Sequence, residues 1–164
     1  MGIKVLVTGG TIDDLDYSSH EQAPKAHRSL IPRLLKQARI TADYSVDVLM
    51  QKDSRVVTDT GRAIILKKCL ESKEHKIIIT HGTSTMPLTA KFLLRQKTQK
   101  TIVLFGSAIP ANKENSDALF NLGLAFAAVQ ILPPGVYIAM NGNVFPADNV
   151  KKNFEKGVFE REKT

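Results

Sequence analysis

At 164 residues, 43% of them hydrophobic, the chain has the size of one globular domain able to bury its own core. A single cysteine excludes an internal disulfide, and no apolar run is long enough to span a membrane. The formal charge is +7, but Lys67-Lys68, Lys97, Lys100 and Lys151-Lys152 are dispersed and few aromatics interleave them, which argues for solvated faces and against nucleic-acid binding. His20, His27, His75 and His81 lack metal-ligand spacing, so neither a metal nor a cofactor is expected. Met1-Gly2-Ile3-Lys4 does not open a signal peptide, and the expected compartment is the cytoplasm.

In chain order, Lys4-Val5-Leu6-Val7-Thr8 reads as a buried strand that breaks into Gly9-Gly10-Thr11, a tight turn presenting a hydroxyl beside backbone donors. A long polar loop, Asp13 to Ala26, follows, of the kind that often forms a lid. A helix around Leu30 to Gln37 tolerates Pro32 in its first turn, and a strand follows near Ser45 to Met50. Thr58 or Thr60 can cap a helix with Ile64, Ile65, Leu66 and Leu70 as its apolar residues; Cys69 reads as a core thiol. The next strand, Lys76 to Thr80, breaks into His81-Gly82-Thr83-Ser84-Thr85-Met86, repeating the design of the first. Thr83 or Thr85 can cap a helix with Pro87 in its first turn and Leu88, Phe92 and Leu93 on one side.

Thr101 to Phe105 is a further apolar strand, ending in Gly106-Ser107. Ser116 or Asp117 can cap Ala118 to Val129, which is apolar almost all round and is expected to be deeply buried, in the domain or against another subunit. Val136 to Met140 leads through Asn141-Gly142 into a short antiparallel return, Asn143-Val144-Phe145. About five apolar strands alternating with helices imply an α/β fold, a mainly parallel sheet covered by helices on both faces. Ligands in such sheets bind at the carboxyl ends of the strands, which places Thr11, the Met50 to Ser54 segment, Thr83 and Ser107 on one edge. Two threonines arriving there independently point to hydroxyl-based amide or ester hydrolysis.

Val7-Thr8-Gly9-Gly10-Thr11-Ile12 resembles the first signature of the bacterial-type L-asparaginases, and Ile79-Thr80-His81-Gly82-Thr83-Ser84-Thr85-Met86 resembles the second. The likeness continues through Ser116-Asp117, Phe120-Asn121-Leu122 and Asn149-Val150-Lys151-Lys152, and it concerns only the amino-terminal domain of the usual two-domain enzyme. It implies a Rossmann-like asparaginase amino-terminal domain over residues 1–164 and hydrolysis of a side-chain amide, of asparagine or a related small amide, to acid and ammonia. In that reading Thr11 is the nucleophile, Thr83 the second threonine and Lys152 the lysine bonded to it. Ser54 would hold the substrate's α-carboxylate, Tyr17 would close over the substrate, and Gly10, Gly82 and Ser84 would complete the cradle.

A threonine hydroxyl needs a neighbour to take its proton, and a tetrahedral oxyanion needs donors, which a glycine turn supplies. Lys152 serves as base only if its pKa is depressed. One departure from the family pattern bears on substrate: Ser84 stands where the family has an aspartate that supports the relay and pairs with the substrate's α-ammonium. A hydrogen bond to a charged group is worth roughly 1.5–3 kcal/mol, so weakened activity, or activity towards an amide without the α-ammonium, is the expectation. Three readings stay open: a threonine amidohydrolase acting on a small amide or amino acid, a degenerate non-catalytic binding domain, and a subunit completed by a partner, a homo-oligomer being the expected assembly.

Overall fold

The computed structural model describes residues 2–14, 21–22 (backbone only) and 29–162. Five strands run parallel: β1 (Ile3–Gly9), β3 (Tyr44–Lys52), β4 (Lys76–Thr80), β5 (Thr101–Phe105) and β6 (Gly135–Met140). The two-residue β2 (Glu21–Gln22) and β7 (Asn143–Pro146) border them antiparallel, giving the order β2-β3-β1-β4-β5-β6-β7. From β1 the chain crosses to β3 on one side and then returns to β4 on the other. The strand order therefore reverses between β3–β1 and β1–β4, which opens a crevice beyond the carboxyl ends of these strands.

Strand alternation divides the core. Leu6, Ile77 and Ile79 face a layer built from α2 (Asp59–Glu71) and α3 (Met86–Leu94), with Ile65, Cys69, Met86, Ala90 and Leu93 packed against them. Val5, Val7, Ile78 and Val103 face α1 (Ile31–Gln37) and α4 (Ala118–Ile131) on the opposite side. The mainly parallel sheet with helices on both faces is thus as expected. Complete burial of Cys69 pushes its thiol up to about 12, which makes it an unreactive packing residue.

Three helix faces differ from the sequence reading. The buried residues of α4 are Leu122, Ala125, Phe126 and Val129 with their small neighbours, whereas Phe120 is 64% and Ile131 81% exposed. Within this chain α4 therefore buries one stripe, because one sheet face receives only one stripe of a helix. Ile64 and Leu70 of α2 and Leu88 of α3 also point to solvent; Arg62 and Thr89 occupy inward positions instead. Thr58 caps α2 through Gly61 N–H, but Thr85 at the start of α3 makes no cap bond, its hydroxyl being drawn to Ser54 C=O at 2.7 Å. Beyond β7, β8 (Lys151–Asn153) and β9 (Val158–Glu160) form a small hairpin, an element the sequence reading did not include.

Candidate active site

Three loops leaving the carboxyl ends of β1, β3 and β4 touch one another. Gly10 has φ +92°, and a Cβ there would lie 2.5 Å from the Gly82 backbone. A Cβ on Gly82 would in turn lie 2.7 Å from the Ser54 side chain. Glycine is thus required at both positions for the loops to close on one another. The strand ends are tied below them by Thr8, whose hydroxyl donates to Thr80 C=O at 2.6 Å.

Thr11 opens a 3-10 turn, Thr11–Asp13, held from two sides. Ala111 N–H donates to Ile12 C=O at 3.1 Å, and the buried Asp13 carboxylate accepts from Ser29 Oγ at 3.0 Å and Leu30 N–H at 2.8 Å. Burial raises the Asp13 carboxyl above the usual range against these two bonds, and its second oxygen has no partner among the described residues. The Gly10 N–H, one of the donors expected at this turn, is spent on Lys52 C=O at 3.0 Å. The Gly10 N–H is thus not available as an oxyanion donor.

Ser54 sits in a short 3-10 turn after β3. Its buried hydroxyl accepts from Thr85 N–H at 3.4 Å, and Asp53 beside it accepts from Arg55 N–H at 2.8 Å and from Arg55 Nε at 2.9 Å. Behind the third loop, His81 is fully buried. Its Nδ1 donates to Gly82 C=O at 2.8 Å, so Nε2 is the acceptor for the Thr89 hydroxyl at 2.9 Å, while Arg62 Nε donates to Thr89 Oγ1 at 3.2 Å. Desolvation holds the imidazole down to about 4, so it is neutral at ordinary pH. His81 and Arg62 carry no role in the sequence reading; a charged residue in an amphipathic helix gives no signal that it turns inward.

Lys152 arrives from the β8–β9 hairpin. Phe159, opposite Lys152 in the hairpin, is buried and donates its N–H to Asn141 Oδ1 at 2.9 Å, which fastens the hairpin to the β6–β7 turn. So held, Lys152 Nζ donates to Thr83 Oγ1 at 2.7 Å and lies 5.1 Å from the Phe154 ring. Partial burial lowers the lysine's pKa below its ordinary value.

These residues line one cleft of about 300 Å³: Gly10, Thr11, Ser54, Gly82, Thr83, Ser84 and Lys152, with Asp53, Arg55, Ala108 and Gly157 around them. Seven of the eight residues singled out from the sequence thus share one cleft; Tyr17 lies outside the described residues. Asp53 and Arg55 were visible only as neighbours of Ser54, and Gly157 belongs to the hairpin the sequence concealed. Among the described residues no group of three or more His, Cys, Asp or Glu could hold a metal, and no helix is long and apolar enough to cross a membrane.

A family model described as asparaginase, N-terminal, matches residues 2–159. The chain belongs to the asparaginase family. Among its relatives is a probable periplasmic L-asparaginase of Haemophilus influenzae, 32% identical over 161 residues, a match covering 92% of this chain and 46% of that protein. A glutamyl-tRNA(Gln) amidotransferase subunit from Methanococcus vannielii is 30% identical, over 95% of this chain and 37% of its own length. The thermostable L-asparaginase from Thermococcus kodakarensis superposes with a TM-score of 0.81 at 25% identity, over 98% of this chain and 51% of that one. The asparaginase-family chain thus spans about half the length of these relatives, or less. Its cleft lies where the order of its parallel strands reverses.

Proposed function

We propose that the protein is an amidohydrolase that cleaves a small carboxamide to the acid and ammonia with Thr11 as nucleophile. The observation that carries this reading is the 2.7 Å bond between Lys152 Nζ and Thr83 Oγ1 in the cleft that Thr11 also lines. Thr11 Oγ1 attacks the amide carbon, its proton passes to the departing nitrogen, and ammonia leaves behind an ester on Thr11. Water then attacks that ester, releasing the acid and restoring the hydroxyl. Thr83 and Lys152 form the proton-handling pair. In the neutral state the lysine accepts a proton through Thr83, and as an ammonium it stabilises negative charge on the tetrahedral carbon's oxygen.

Burial favours the first role by bringing the neutral lysine closer to working pH. The hydrogen bonds to Asp13 and Ile12 fix the turn from which Thr11 acts, so that attack is prepaid in orientation. The test is ammonia release from L-asparagine and shorter amides by the wild type and by Thr11→Ala in parallel. Release abolished by the substitution supports the reading; release that survives it removes Thr11 from the chemistry.

A second reading, of a chain completed by another chain, is favoured by the resemblance to an amidotransferase subunit. In it the cleft is finished by a partner, a second copy of this chain being the simplest. Mass measurement in solution, with activity followed against protein concentration, separates the two. A dissociable assembly loses specific activity on dilution, whereas a self-sufficient protomer does not.

A further inference from the structure

Within the amide-hydrolase reading, the charges around the cleft discriminate between kinds of amide. Among the described lining residues the only carboxylate is Asp53, and both of its oxygens are engaged by Arg55, one by the backbone N–H and the other by the guanidinium. Among the described lining residues, an ammonium entering the cleft would find as counter-charge only that carboxylate, already paired with Arg55. The donors are better placed. Ser54 Oγ uses a lone pair on Thr85 N–H, which leaves its own hydrogen to offer, and Ser84, a second hydroxyl residue, lines the same cleft just ahead of α3, where the helix dipole favours negative charge.

We propose that the preferred substrate is an acid amide that carries a carboxylate but no ammonium, the monoamide of a short dicarboxylic acid. Its carboxylate lies against Ser54 and Ser84 while its amide faces Thr11. Ser84 is then the residue that sets the preference, because it occupies the wall where a carboxylate side chain would attract an ammonium and repel the substrate's acid group.

This inference rests on the reading of the site as an amide hydrolase, and its test keeps the two apart. Succinamate, L-asparagine and butyramide are compared with wild-type protein, Thr11→Ala and Ser84→Asp, both for ammonia release and for binding by calorimetry. The expected result is a kcat/KM for succinamate at least about tenfold above that for L-asparagine, with the same order in affinity and butyramide behind succinamate. Ser84→Asp shifts that ratio towards L-asparagine by about tenfold or more. Equal or better use of L-asparagine by the wild type overturns the substrate class while leaving Thr11-dependent hydrolysis standing, and so does a ratio that Ser84→Asp leaves unchanged. If no amide is hydrolysed, the amidohydrolase reading falls and affinity decides the substrate class. Tighter binding of succinamate than of L-asparagine upholds the acid-binding wall, whereas equal binding, or none of either, overturns it.

Discussion

Lys152 Nζ reaches Thr83 Oγ1 at 2.7 Å although 69 positions separate the two in the chain. One residue follows a central strand of the parallel sheet, the other sits in a three-residue strand of a separate hairpin, and both line the cleft. Replacing Lys152 by Met keeps most of the apolar stem and removes the nitrogen. It is expected to cut kcat by about 10²-fold or more, within the range for general acid–base groups, with a much smaller change in thermal stability. Steady-state kinetics beside a melting curve read both quantities.

The direction of the Lys152 shift fixes a pH profile. Burial lowers the pKa from its ordinary 10.5, and the neutral amine is the form that accepts a proton. Activity is therefore expected to rise with pH along a limb whose midpoint falls below 10.5. In Lys152→Arg, whose guanidinium stays charged, residual activity is expected to lack that limb. The log of kcat/KM against pH for both proteins checks this.

His81 gives a separate pH dependence, in stability. Its folded-state pKa of about 4 lies below the 6.5 of an exposed imidazole, so above pH 6.5 both states are neutral and the buried ring incurs no proton-linked cost. As pH falls below 6.5 the unfolded chain takes up the proton first, and stability is lost progressively until about pH 4. The loss over that window is about 3 kcal/mol, from the difference between the two pKa values. Urea unfolding at about pH 7 and about pH 4.5 is expected to show a smaller pH decrement in His81→Gln than in the wild type.

Much of the site was legible in the sequence because its first two segments are a buried strand running into glycine and a hydroxyl. The continuous apolar runs of Lys4 to Thr8 and Lys76 to Thr80 identified the strands, and the rule for parallel sheets put their ends together. The β8–β9 hairpin was not legible. Its strands are three residues long and include Lys151, Lys152 and Asn153, with neither alternation nor length to mark them. What fastens it is long-range: buried Phe159 and the bond to Asn141. The inward turn of Arg62 depends on Thr89 and His81, residues of a different helix and loop. The commitment of Gly10 N–H to Lys52 C=O is likewise a matter of sheet pairing, which no local motif reveals.

The loop contact predicts a glycine requirement. Gly82→Ala places a methyl 2.7 Å from the Ser54 Cβ and Oγ atoms, and Gly10→Ala adds a φ of +92° to a 2.5 Å approach to backbone. Each is expected to destabilise by about 3 kcal/mol or more, Gly10→Ala the more severely because backbone cannot swing aside as a side chain can. That corresponds to a fall of roughly 6–12 °C in Tm for a chain of this size, measured by calorimetry.

The hairpin anchor gives a test of positioning. Asn141 has φ +54°, so Asn141→Gly relieves the backbone while deleting the oxygen that accepts Phe159 N–H. Stability is expected to change by about 1 kcal/mol or less, because the two effects oppose. The lost anchor loosens Lys152 over Thr83, so kcat falls by more than the stability change accounts for. Activity and Tm measured on one preparation separate these effects.

The central claim is that Thr11 forms the bond to the substrate carbon. Rapid acid quench during turnover of succinamate, followed by peptide mass analysis, tests it most directly. The account predicts the mass of the acyl group, as an ester, on the peptide containing Thr11. An acyl group on Thr83 instead, or undiminished turnover by Thr11→Ala, would contradict it.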